Sequence, residues 1–198
     1  MRITDAILLA AGSSSRMGRP KQLLTIGNST LLTRTVQIIR SCPEIRKLYV
    51  VLGANADLLK SSLETEQVKI VIAETWQNGM GASLKSGLNA IQQKKPLPDQ
   101  ILITVCDQPH LNNKILNDLI LSGMQSKISV SDYGYDIGTP ALFDSYFYNQ
   151  LISIPDDSGA RKLFLTNNNS IIKVSFPEGA VDLDTPEDYA KFLKTEKE

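Results

Sequence analysis

Three observations predict an α/β fold with a mostly parallel sheet, built as one domain. Short apolar, β-branched runs recur through the first two thirds of the chain, helical patterns separate them, and the first run opens into a loop of small and cationic residues. Strand and helix in alternation imply right-handed crossovers, which put helices on both faces of a parallel sheet. A length of 198 residues suits a single domain with a sizeable core.

The elements follow in order. "DAILLA" (5–10), "KLYVVL" (47–52), "VKIVIA" (68–73) and "QILITV" (100–105) read as buried strands. Between them, "STLLTRTVQIIRS" (29–41), "NADLLKSSLE" (55–64) and "GASLKSGLNAIQQ" (81–93) carry apolar residues at helical spacing, and a further helix spans 112–123. "KKPLPD" (94–99) is a turn and not a linker. The last third is less regular. "KISVSDYGYDIGTPALF" (127–143) reads as two short strands around a turn, "DDSGARKLFLTN" (156–167) as a capped helix and "SIIKVSF" (170–176) as a strand. "TPEDYAKFLKTEK" (185–197) reads as a terminal helix with Pro in its first turn. No repeat or low-complexity segment interrupts the domain.

Composition excludes several classes. A formal net charge of +0 argues against a general binder of nucleic acid or membrane surface. Two cysteines and one histidine are too few for a zinc site, and neither cysteine sits where a disulfide is suggested. No apolar run has the length of a signal peptide or a membrane span, so a cytoplasmic protein is expected. The charge is nevertheless uneven. Residues 6–43 hold no Asp or Glu, where a chain with 21 acids would place about four, yet they carry Arg16, Arg19, Lys21, Arg34 and Arg40.

Four stretches carry the chemistry. In "LLAAGSSSRMGRPKQLL" the strand ends at Ala10, and the small residues Ala11 to Ser15 that follow let a phosphate or base approach backbone N–H groups closely. Arg16 and Lys21 can then neutralise a triphosphate, Arg by its fork and Lys as a point charge; the alternative is a solvated basic turn. The spacing fits neither the dinucleotide fingerprint nor the P-loop. In "ITVCDQPHL" Asp107 lies at the carboxyl tip of a strand, where a carboxylate holds a hard cation such as Mg²⁺ against substrate phosphates. Its other reading, a cap for the helix at 112, is better filled by Asn112 or Asn113. His110 is a loop residue rather than a base. In "VDLDTPEDY" Asp182 and Asp184 stand two apart, and one of them is expected to join the metal of Asp107, while Asp184 or Thr185 could equally cap a helix. In "WQNGMGASLKSGL" Gly79, Gly81 and Ser83 sit at a helix start that suits an anion or a base edge, or a plain N-terminal cap.

Together these stretches resemble the molybdenum cofactor nucleotidyltransferases, most of all the cytidylyltransferases, in order and spacing from residue 5 to about 192. "LAAGSSSRMGRPKQLL" is similar to that family's nucleotide signature, "CDQP" to its metal segment, "NGMGASLKSGL" to its nucleotide-side loop, "GTPALF" and "SGARKL" to later segments and "DLDTPEDY" to its terminal motif. The resemblance implies a Rossmann-like three-layer α/β/α sandwich of the glycosyltransferase-A type. It implies that CMP moves from CTP to the phosphate of a molybdopterin-type acceptor, releasing pyrophosphate, with Mg²⁺ on Asp107 and on Asp184 or, less securely, Asp182. The backbone of Ala10, Ala11 and Gly12 would meet the nucleotide, Arg16 and Lys21 would hold the triphosphate, and Gly79, Gly81 and Ser83 would lie on the nucleotide side. A molybdenum hydroxylase or its maturation factor is the implied partner. Ala10-Ala11 stands where guanylyl-transferring relatives usually carry Gly-Gly, which favours a pyrimidine. Gly138-Thr139-Pro140 departs from the usual Gly-His-Pro, which leaves open a different phosphorylated acceptor, and a cofactor carrier without transferase activity is the alternative from another class.

Overall fold

Seven consecutive buried residues make Thr4–Ala10 (β1) a strand covered on both faces. Its side chains divide by parity. Ala6, Leu8 and Ala10 join a core with Leu31, Val36 and Ile39 of Leu31–Arg40 (α1), Leu59 of Ala56–Ser61 (α2), Leu116 and Leu119 of Asn113–Ser122 (α4) and Phe192 of Pro186–Thr195 (α7). Ile7 and Leu9 join another with Leu84, Leu88 and Ile91 of Met80–Gln92 (α3), Leu151 of Tyr148–Ile152 (α5) and Phe164 of Arg161–Thr166 (α6). The protein is therefore a three-layer α/β/α sandwich. The structure, a computed structural model, describes residues 2–167 and 171–196.

The remaining strands are Thr25–Ile26 (β2), Ser29–Thr30 (β3), Ile45–Leu52 (β4), Lys69–Ile72 (β5), Gln100–Val105 (β6), Ile128–Asp132 (β7), Ile137–Asp144 (β8) and Ile171–Ser175 (β9). The main sheet runs β5-β4-β1-β6-β8-β7-β9. Ile7 pairs with Tyr49 on one side and Ile103 on the other, both in parallel register. β8 alone runs antiparallel to its neighbours β6 and β7, and β9 pairs in parallel with β7. This reversal brings the start of β8 beside the carboxyl end of β6, where Asp107 emerges.

The small β2–β3 hairpin takes the place of the first residues expected of the helix at 29, and Thr30 caps α1 by accepting from the Thr33 amide at 3.1 Å. The helix expected over 156–167 shortens to α6 and has no side-chain cap, because the residues before it pack against α3. Positions 170 and 197 of the expected terminal elements lie outside the described residues. Among the described residues no helix is long and apolar enough to cross a membrane.

Candidate active site

The loop after β1 is shaped by a buried glutamine. Gln22 donates from Nε2 to the carbonyls of Ala10 at 2.9 Å and Gly12 at 3.0 Å, and its Oε1 accepts from the Ser14 hydroxyl at 3.2 Å. Ser14 Oγ in turn accepts from the Lys21 amide at 3.0 Å. The Ala54 amide donates to the Ala11 carbonyl between them at 3.0 Å, so three successive carbonyls are held inward. A Cβ on Gly12 would meet nothing within 4 Å, and Ser13, Ser15 and Arg16 are exposed, so the outer face of the loop is open to a ligand. Ser14 adopts the left-handed conformation, φ 57°, that this sharp turn requires.

Lys21 links that loop to the acids. Its Nζ lies 2.7 Å from Asp107 Oδ2 and 2.7 Å from Asp184 Oδ1, and Arg16 reaches Asp184 Oδ2 at 2.7 Å. Burial works against the Lys21 ammonium, but Asp107 and then Asp184 outweigh it and hold its pKa above the ordinary lysine value. The Asp184 carboxyl is likewise opposed by burial, which Lys21 and Arg16 overcome to hold it below the usual range. Asp182 behaves oppositely: partial desolvation, then the charges of Asp107 and Asp184, push it up to about 7. The segment 181–184 has no ladder partners, and residues two apart in a strand would share one face, in keeping with both Asp182 and Asp184 lying near Asp107. Asp184 faces the lysine while Asp182 still feels both other acids.

Two local devices place these carboxylates. The Leu183 amide donates to the Asp107 carbonyl at 3.0 Å, joining the end of β6 to the approach of α7. Thr185 and Asp188 form the capping box of α7, and Asn112 caps α4, so neither Asp184 nor Asp107 is spent on a helix end. Asp107 Oδ1 is buried with no hydrogen-bond partner among the described residues. An orphaned carboxylate oxygen beside a second acid fits a hard divalent cation, which takes one or two carboxylates and completes its shell with water and phosphate. Among the described residues no group of three or more His, Cys, Asp or Glu is placed to hold a metal ion.

The glycines at the start of α3 have another task. A Cβ on Gly81 would lie 2.2 Å from the Pro155 carbonyl oxygen, and one on Gly79 2.5 Å from that of Asp156. The Ala82 amide donates to the Asp156 carbonyl at 3.2 Å, and Ser83 is buried with its hydroxyl directed to the Gly79 carbonyl at 3.4 Å. The helix start is thus closed by residues 155–158. On the other flank Gln108, which the sequence reading passed over, is buried with Nε2 within 2.7 Å of the Gly179 carbonyl, 2.8 Å of the Tyr133 hydroxyl and 3.1 Å of the Thr139 carbonyl. Gln22 was missed for the same reason: amides carry no charge signal, and only the fold shows what they bind. His110 packs edge-on to Phe192, centroids 5.3 Å apart, as a loop residue.

The sequence of residues 6–170 matches the MobA-like NTP transferase domain. The chain belongs to that family. This MobA-like protein is a nucleotidyltransferase, and the acids and cations above gather beyond the carboxyl ends of β1 and β6, where open α/β sheets bind their ligands. It is 30% identical over 201 aligned positions to nicotine blue oxidoreductase of Paenarthrobacter nicotinovorans, covering 94% of this chain and 95% of the relative. It is 25% identical over 191 positions to molybdenum cofactor cytidylyltransferase of Escherichia coli strain K12, covering 96% and 95%. Among solved structures it resembles Rv0371C of Mycobacterium tuberculosis in complex with manganese, with a TM-score of 0.81, 26% identity and coverage of 98% and 100%. The family match ends at residue 170, so Asp182 and Asp184 enter the site by the structure's placement of α7.

Proposed function

We propose that this MobA-like transferase moves CMP from CTP to the phosphate of a molybdopterin-type acceptor, with Mg²⁺ as its cation. The observation that carries the reading is the unpartnered Asp107 Oδ1 beside Lys21, whose amide is tied to the 12–16 loop at Ser14. Asp107 and Asp184 would hold Mg²⁺, which supplies Lewis-acid neutralisation of the triphosphate when bound. Lys21 and Arg16 then offset charge developing on the departing pyrophosphate. The amides of the loop position the phosphates.

The reaction forms a bond from an acceptor phosphate oxygen to the α-phosphorus and breaks the bond from that phosphorus to the α,β-bridging oxygen. A phosphate monoester with a second pKa near ~6 is largely ionised at neutral pH, so the protein need not supply a general base. That accounts for a site without histidine. CTP rests on likeness to the cytidylyltransferase of Escherichia coli and on Ala10-Ala11. The acceptor is where a second reading enters: Gly138-Thr139-Pro140 and the likeness to a protein named as an oxidoreductase favour testing other phosphorylated acceptors.

Pyrophosphate release with CTP, GTP and ATP, each with and without a molybdopterin-type acceptor, decides among these. CTP-dependent release that needs the acceptor is expected. Asp107→Asn abolishes it with the fold intact, and Lys21→Ala lowers kcat/KM by about 2–4 kcal/mol in transition-state terms. Full activity of Asp107→Asn refutes the assignment, and cofactor binding without pyrophosphate from any nucleotide favours a carrier.

A further inference from the structure

Three of the four oxygens on Asp107 and Asp184 are already engaged by the protein's own cations. Lys21 Nζ takes Asp107 Oδ2 and Asp184 Oδ1, and Arg16 takes Asp184 Oδ2, leaving Asp107 Oδ1 alone unpartnered. The two cations are unequal. The Arg16 side chain is 70% exposed and can leave readily, whereas that of Lys21 is 14% exposed and joins both carboxylates. A divalent cation on this pair would sit beside an ammonium of like charge unless the lysine moved, and in a partly desolvated crevice that repulsion is substantial.

We propose that Lys21 is the resident counter-ion of the acid pair in the ligand-free protein, and that a nucleoside triphosphate opens the metal site by drawing Lys21 onto its phosphates. Nucleotide and divalent cation therefore bind with positive coupling through one side chain. The inference rests on the metal reading of Asp107 and Asp184 and adds to it an order of assembly. The loop is built for the exchange. The Lys21 backbone is held by the hydrogen bond that its amide donates to Ser14 Oγ at the edge of the phosphate-side loop, so only the flexible four-carbon stem has to swing. Without a phosphate to receive it, the ammonium would give up two short charge-assisted hydrogen bonds for none. Linkage is reciprocal: whatever factor the nucleotide adds to metal affinity, the metal adds to nucleotide affinity.

The test reads metal binding directly, by titrating Mn²⁺ and following the electron paramagnetic resonance of the free ion. Lys21→Met without nucleotide is expected to bind Mn²⁺ at least about tenfold more tightly than the unmodified protein, within the usual range of coupling between two sites. Lys21→Gln, which keeps polarity, gives the same direction if Lys21→Met folds poorly by circular dichroism, and Lys21→Arg stays weak. An α,β-methylene CTP analogue, corrected for its own Mn²⁺ binding, strengthens metal binding in the unmodified protein and much less in Lys21→Met. Equal or weaker Mn²⁺ binding by both neutral variants overturns the inference, even where the analogue shows an Asp107-dependent metal site. Mn²⁺ binding that survives Asp107→Asn, with or without the analogue, removes the metal reading itself and this inference with it.

Discussion

Gly81→Ala separates a packing glycine from a ligand-binding one. In a helix the change would ordinarily stabilise by about 1 kcal/mol, because Ala is the better helix former. Here the added Cβ falls 2.2 Å from the Pro155 carbonyl oxygen, 2.6 Å from that of Ser158 and 3.0 Å from that of Asp156. All three are backbone atoms, so relief requires residues 155–158 to shift by about 1 Å, an overpacking cost of up to about 3 kcal/mol. The shift also weakens the bond from the Ala82 amide to the Asp156 carbonyl, worth about 1 kcal/mol. The Lys85–Asp156 bridge, at 2.6 Å but with a half-exposed carboxylate, adds little. The expected net loss is about 2–3 kcal/mol, a fall in Tm of roughly 5–10 °C for a chain of this size. Urea and thermal unfolding measure it. A variant as stable as the parent with a raised KM for CTP would refute the packing argument and return Gly81 to the nucleotide.

Other outcomes follow from the same geometry. Gln108→Ala leaves the buried Gly179 carbonyl short of a donor, while the Thr139 carbonyl keeps the Tyr133 hydroxyl, and costs about 1–3 kcal/mol by urea unfolding; no change would mean that water replaces the amide. Thr185→Ala removes the N-terminal cap of α7 and costs about 1 kcal/mol, with a loss under a few tenths counting against the capping box. Asp144 is opposed by burial but held below the usual carboxylate range by the Tyr146 amide and Arg2, so its contribution is present above about pH 4 and lost as pH falls through its lowered pKa. Asp144→Asn is therefore destabilising by up to about 1 kcal/mol at pH 7, with a gap that closes on acidification below pH 4. A gap independent of pH from 7 to 3 rejects the linkage.

Local pattern determined much of this protein. Apolar runs located β1, β4 and β6, because a strand buried on both faces must be apolar at nearly every position; β5, expected to be buried as well, is instead an edge strand that is exposed or half-buried throughout. Capping chemistry at Asn112 and Thr185 was legible for a similar reason: the bond is made within four residues. The acid-free stretch around Arg16 and Lys21 was visible as composition. The resemblance of the motifs already implied the family that residues 6–170 match.

Tertiary structure decided the rest. That β8 reverses between β6 and β7 depends on pairing across long intervals of sequence, to which local periodicity is blind. Gly79 and Gly81 look the same in sequence whether a phosphate or a backbone carbonyl approaches them, and the fold brings residues 155–158 there. Lys21 stands 86 residues from Asp107 and 163 from Asp184, and the sequence named all three without showing that one ammonium joins them. Residue types and their local order fix which groups are available. Which charges meet is set only when the sheet closes, since Coulomb energy depends on distance through space and not along the chain.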